Sequence, residues 1–266
     1  MITGSGSTPQ PSGLTGLPYP FLSALARGSR LHRAKQAQDA IRGAIVGLAL
    51  VPGEFIHEDA ICERLGVSRV LLSQALANLA NEGFVEILPQ RVMRVCRIDI
   101  AACRLAMLVR RALEGEAMRV IAPRADARLI AHLENNLRRQ DTAVKQEDAT
   151  SFARRDFAFH DLLLSELGYR RVKGVVESAR AKLDRAREFL LRAPERQLQN
   201  YFDHLAIVDA LKRRDAAAAQ RAMTRHLDAA MREIETQGAE NPEIFAPPAE
   251  LRTAAPLERT PLRLVS

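Results

Sequence analysis

Between Ile98 and Gly238 the sequence holds no run with the two-residue period of a strand, and this restricts the fold more than any other feature. Apolar residues there recur at three- and four-residue spacing, with breaks at Pro123, Gly168, Pro194 and Asp215. The pattern predicts about six helices, near 98–122, 125–146, 148–167, 170–192, 196–213 and 215–237. Their apolar stripes must face a shared bundle interior.

The preceding stretch has a different order. Ala40, Ile41, Ala44, Ile45 and Leu48 predict a helix over 34–50, ended by Pro52-Gly53. Glu58 to Leu65 is a short helix stopped by Gly66, and Ser68 is the N-cap of a third helix, Arg69 to Asn81, that ends at Gly83. Phe84–Leu88 and Val92–Cys96 are β-prone runs joined by Pro89-Gln90-Arg91, a two-stranded ribbon. Helix, short helix, glycine turn, helix, ribbon is the order of a winged helix-turn-helix, whose third helix enters the DNA major groove. The glycine matters because two short helices cross this tightly only through a residue that tolerates left-handed dihedrals.

The fold class is therefore mainly α, in four segments. Residues 1–33 are a flexible N-terminal arm rich in Gly, Ser and Pro. Residues 34–97 are a winged helix-turn-helix DNA-binding domain, and 98–238 a helical effector-binding and dimerisation domain. Residues 239–266 hold five of the 13 prolines and read as a flexible tail.

Net charge alone does not make the case for DNA. The total is +7, but residues 34–96 carry 6 basic and 7 acidic side chains. The basic excess sits in the arm and in 97–237, so the DNA reading rests on motif geometry. No apolar run reaches the ~18 residues of a membrane span, and no basic flank with an apolar stretch marks a secretory signal. Cys62, Cys96 and Cys103 are scattered and form no CxxC pair, as expected of reduced thiols. A cytoplasmic protein without a membrane partner is expected, and 34 Arg among 39 basic residues suit a GC-rich bacterial genome.

The run containing Pro52-Gly53-Glu54, Glu58, Arg64-Leu65-Gly66-Val67-Ser68-Arg69, Ala75-Leu76, Leu79, Glu82-Gly83 and Val85-Glu86 resembles the N-terminal domain of the GntR family of bacterial transcription regulators. The resemblance implies binding to a double-stranded DNA operator through Arg64, Ser68, Arg69, Ser73, Gln74 and Arg91. Two departures stand out. The family usually has a basic residue where this chain has Asp59 and an arginine where it has Ser73. Gln90 and Val92 replace the usual glycines of the wing tip. Fewer cationic contacts should lower affinity and its salt dependence.

In the helical segment the predicted stripes carry polar residues inward. One reads Phe152, Asp156, Phe159, His160, Leu163, Leu167; a second Tyr201, His204, Leu205, Val208, Leu211; a third Met223, His226, Leu227, Ala230, Ile234. Three helices each aim a histidine at the interior, and one adds an aspartate four residues away. Buried polar groups need partners, and one carboxylate with three imidazoles suits a divalent transition ion with positions left open. His32 in the arm, His57 as a local cap near a helix start, and His132 on a solvated face stand outside this pattern.

The runs DFAFHDLLL and HLAIVDALKRRDAAAAQRAMTRHL, with Val109–Glu114, resemble the FCD ligand-binding domain of FadR-like members of the same family. The metal ligands of that domain fall on Asp156, His160, His204 and His226. The resemblance implies a homodimeric, ligand-responsive regulator, with repression the commoner behaviour. A Zn²⁺, Ni²⁺ or Mn²⁺ ion and a small carboxylate effector would occupy the bundle, and no catalysis is expected. Arg110 would supply a second contact to the effector, or else a surface ion pair with Glu114. A metal-dependent hydrolase is an alternative, but no base is assigned beside the ion and the winged helix would go unused. An interaction module with a degenerate winged helix is the other.

Overall fold

The structure, a computed structural model, describes residues 18–26, 29–89 and 92–246. These form two compact units, one from the residues up to Ile45 together with Glu54–Val95, the other from Val46–Gly53 and the residues from Cys96 on.

The first unit contains α1 (Arg30–Val46), α2 (Glu58–Leu65), α3 (Arg69–Asn81), β1 (Val85–Ile87) and β2 (Met93–Val95). β1 and β2 pair antiparallel, with Val85 opposite Val95. Gly66 ends α2 at φ 66°, and its amide reaches back to the Cys62 and Glu63 carbonyls. Ser68 caps α3 by accepting the Leu71 N–H. Leu71, Leu72, Ala75, Leu76 and Leu79 then fall on one buried face of α3. Each buried leucine contributes about 1.5–3 kcal/mol relative to exposure.

α1 starts and ends four residues earlier than its spacing predicts, and its end at Val46 is followed by Leu48 in a left-handed backbone (φ 56°). His32 thus lies on α1, exposed, rather than in an arm. The last part of the arm is also packed. Tyr19 and Leu22 are buried. The Tyr19 hydroxyl accepts the His57 N–H at 3.1 Å. Residues 1–17 lie outside the described residues.

The second unit follows the predicted helices closely: α4 (Ile100–Ile121), α5 (Ala127–Lys145), α6 (Ala149–Leu167), α7 (Arg170–Leu190), α8 (Pro194–Lys212) and α9 (Ala216–Glu240). Asp99, Asp126, Asp148 and Asp215 each cap a helix, accepting backbone N–H groups from its first turn. Each cap contributes about 1 kcal/mol. α4 runs through the middle, packed against α9, α7 and α6. Met118, Leu133, Phe159, Ile207 and Met223 fill the core between the helices.

Residues 239–246 depart from the reading as a flexible tail, and the rest of that segment, 247–266, lies outside the described residues. α9 continues to Glu240, and β4 (Phe245–Ala246) pairs in parallel with β3 (Ile98–Asp99). Phe245 is fully buried, edge-on to Phe189 at 5.4 Å. A two-residue strand gives no periodic signal, so only tertiary packing identifies it. Phe245→Ala should lower the stability of the full chain by about 3 kcal/mol through the cavity it leaves. Urea denaturation measures this, and an unchanged midpoint would mean that the segment does not pack.

Candidate functional site

In the first unit, α3 presents Ser68, Arg69, Ser73 and Gln74 on its exposed side, as the sequence predicts. Arg69 does not stand free. Its guanidinium meets the Asp59 carboxylate at 2.7 Å, with both side chains about three-quarters exposed. Arg64 is half-buried and donates from Nε to the Tyr19 carbonyl at 2.9 Å, so part of its hydrogen-bonding capacity serves the fold. His57 takes the N-cap position of α2, but its side chain makes no capping bond. Arg91 lies outside the described residues.

In the second unit, the three predicted stripes converge. Asp156 and His160 come from α6, His204 from α8 and His226 from α9. All four are at most 3% exposed. One ligand atom from each lies within 4.8 Å of the others. His132, by contrast, sits exposed on α5.

Each imidazole is held from behind at Nδ1. His160 meets Glu114 Oε2 at 2.7 Å, His204 meets Gln140 Oε1 at 2.8 Å, and His226 meets Asp203 Oδ2 at 3.3 Å. Ionised carboxylates only accept, and Gln140 spends its amide N–H on Asn136 at 2.7 Å. Every Nδ1 must therefore carry a proton, and in the neutral ring this leaves Nε2 the lone pair. His204 Nε2 is buried without a hydrogen-bond partner, 3.7 Å from Asp156 Oδ1. Such backing groups orient imidazoles and raise their basicity as ligands.

Charges around the quartet are matched. Arg110 is buried and donates from Nε to Glu114 at 2.6 Å, with its outer nitrogen 3.4 Å from His160 Nε2. It forms the predicted ion pair, but in the interior and not at the surface. Arg187 Nε stands 3.3 Å from Asp156 Oδ2. Burial is the largest single influence and opposes ionisation of Asp156 and Glu114, but Arg187 together with the three histidines outweighs it at the first, and Arg110 together with His160 at the second, so both carboxyls stay below the usual range.

A small cavity of about 30 Å³, enough for ordered water, adjoins the quartet. Arg110, Asp156, His160, Arg187, Arg196, Asn200 and His226 make its polar wall, and Met107, Leu183, Leu190, Leu191, Ala230 and Ile234 its apolar one. Arg187 Nε, one Arg196 terminal nitrogen and Asn200 Oδ1 are buried there without hydrogen-bond partners. Sequence reasoning did not single out Gln140, Asp203, Arg187, Arg196 or Asn200, and treated Glu114 only as a surface partner. Gln140 had a usable signal: it falls in register with Leu129, Leu133 and Leu137 on the buried face of α5.

With this geometry in hand, comparisons with known proteins are decisive. A model described as "Bacterial regulatory proteins, gntR family" matches residues 33–95, and the FCD domain model matches 106–229. An HTH-type transcriptional regulator in an unstable DNA locus of Streptomyces ambofaciens is 32% identical over 206 residues, 77% of this chain and 86% of its own. The chain belongs to the GntR family, with an FCD domain. The HTH-type transcriptional repressor RspR of Escherichia coli K12 is 30% identical over 215 residues, covering 80% of this chain and 93% of that one. Among solved structures, a putative GntR transcriptional regulator from Rhodococcus sp. RHA1 matches with TM-score 0.65 at 21% identity, over 77% of this chain and 98% of that one. E. coli McbR/YncC matches with TM-score 0.62 at 16% identity over the same shares. These two likenesses concern the fold. The chain is thus a DNA-binding bacterial transcription regulator and not an enzyme, and the hydrolase alternative falls with that.

Burial also fixes a pH response. It pushes His160 down to about 4, with the Arg110 charge adding to the shift and Glu114 opposing it, and it drives His204 well below its ordinary value. Unfolded imidazoles take a proton near pH 6.5, as a reference value of about that size implies. Between pH 6.5 and 4 the unfolded chain binds more protons, so stability is present above this window and lost as pH falls through it. For His160 the full loss is about 3 kcal/mol. Calorimetry of metal-stripped protein should show the melting temperature falling steadily from pH 7 to 5, and a flat profile would contradict neutral buried imidazoles.

Proposed function

We propose that the protein is a cytoplasmic, homodimeric repressor whose FCD domain holds a divalent metal ion and senses a small carboxylate. The observation that carries this reading is the convergence of one ring nitrogen from each of three imidazoles and one carboxylate oxygen inside 4.8 Å. Asp156, His160, His204 and His226 would be the ligands. The donor set fits the ion: the imidazoles are in the ligating tautomer, and His204 Nε2 lacks any other partner. Imidazoles favour Zn²⁺ or Ni²⁺, and the carboxylate admits Mn²⁺. Bound there, the ion supplies positive charge and open coordination positions for an acid.

The chain's own residues support an anionic effector. Arg110, Arg187 and Arg196 bring three guanidiniums to one wall, and Arg196 and Asn200 have buried atoms without hydrogen-bond partners. The cavity is small, about 30 Å³, and an acid larger than a few atoms needs it to widen. Effector binding would have to part α8 and α9 from α7, and differential affinity for the parted state is what couples the site to the rest of the molecule. Exposed Leu105 and Leu108 on α4, with Val175 on α7, offer an apolar face to a second copy. A two-fold dimer matches a palindromic operator. The name repressor is that of the RspR relative, which supports repression here.

Elemental analysis should find one divalent ion per chain in the wild type and little in His204→Ala. Chelator should lower the melting temperature of the wild type and leave that of His204→Ala unmoved. Equal melting temperatures in all four samples, with no metal found, would remove the ion from the mechanism. Arg196→Ala should keep its metal yet lose the thermal shift that a panel of two- to six-carbon carboxylates gives the wild type. A retained shift would assign the acid to another part of the cavity.

A further inference from the structure

The DNA-reading unit carries an acid beside the first residue of its third helix. Asp59 sits in the first turn of α2, and its carboxylate meets the guanidinium of Arg69, the first residue of α3, at 2.7 Å. Arg69 is the one basic residue of α3. Both side chains are about three-quarters exposed, so the pair is open to solvent and to any ligand at the face. The other basic side chains described in this unit, Arg33, Lys35, Arg42, Arg64 and Arg94, are also bonded within it, to carboxylates or to main-chain carbonyls. Glu58 and Asp59 together place two carboxylates in the first turn of α2, where a helix would otherwise attract an anion.

We propose that Asp59 competes with DNA phosphate for Arg69 and so lowers both the affinity of this unit for DNA of any sequence and the salt dependence of that affinity. Arg69 reaches a phosphate only by leaving Asp59, and that exchange is charged equally against every sequence. Non-specific binding is built almost wholly from phosphate contacts, so it loses the largest share of its free energy. A site that also engages Ser73 and Gln74 at base edges bears the same cost, and keeps a larger remaining affinity through contacts that Asp59 does not touch. The inference needs only the DNA binding that family membership gives, and is independent of the metal and the effector.

The test uses the full-length protein and a random-sequence 30-base-pair duplex, with binding followed by fluorescence anisotropy over a salt series. Asp59→Asn should tighten binding about two- to tenfold at low salt and steepen the salt slope by about one. Arg69→Ala should weaken binding to the same duplex. In the Arg69→Ala background the Asp59→Asn gain should shrink to less than half on the logarithmic scale. An equal gain in both backgrounds would overturn the proposal, leaving Asp59 as a bare repulsive charge. Unchanged binding in Asp59→Asn would overturn it too, as would weakened binding, which would make Asp59 a direct DNA contact. Circular dichroism of each variant, matching the wild type, ensures that an altered fold is not read as altered affinity.

Discussion

Three imidazoles and a carboxylate in one apolar interior are tolerable only if every polar atom has a partner, and the rest of the FCD domain is arranged around that requirement. Glu114, Gln140 and Asp203 come from α4, α5 and α8, and each fixes one Nδ1. With those atoms answered from behind, the three rings stand together, their centroids 4.7–5.4 Å apart. Orientation is thus settled by hydrogen bonds that an ion need not supply. The cost appears at His204 Nε2, which the protein alone does not satisfy. A buried ring nitrogen left in that condition costs about 1–3 kcal/mol, an arrangement that favours whatever ligand completes it.

The guanidiniums fit the same logic. Arg110 neutralises Glu114, and Arg187 faces Asp156, so the two buried carboxylates keep their charge. A carboxylate that ionises in the interior is available to a cation without first shedding a proton. Asp156 is shared between Arg187 and the imidazoles, and Arg110 between Glu114 and His160. A dication among these groups would weaken both arginines' hold by repulsion. The same repulsion would turn those guanidiniums towards an incoming acid. On the proposed reading, metal and acid would favour one another through the protein's own charges.

Much of this was legible in the sequence, and the reasons separate cleanly. The stripes carrying Asp156, His160, His204 and His226 follow the helical period, so their convergence could be read from spacing. The glycine at 66 and the serine at 68 mark their turn by local backbone chemistry, and the helix boundaries fall within four residues. What spacing cannot give is pairing between elements. Gln140 and Asp203 matter because of which histidine they reach, a property of tertiary placement. The strand at Phe245 is two residues long and gains its identity only from Ile98 beside it. Arg110 with Glu114 was visible as an i,i+4 pair, but its burial depends on α6 and α7 closing over α4.

The two units also treat charge in opposite ways. In the FCD domain, opposite charges are buried together, where a low dielectric makes each pairing strong and makes loss of one partner expensive. In the DNA-reading unit, Asp59 and Arg69 are paired in water, where the attraction is weak and screened. A weak pair is the kind that can be exchanged: a phosphate offers Arg69 about what Asp59 offers, and the release of counterions from DNA tips the balance. Were the pair buried, the same acid would disable Arg69 outright. Exposure is what lets an acidic residue on a DNA-reading face temper affinity without abolishing it.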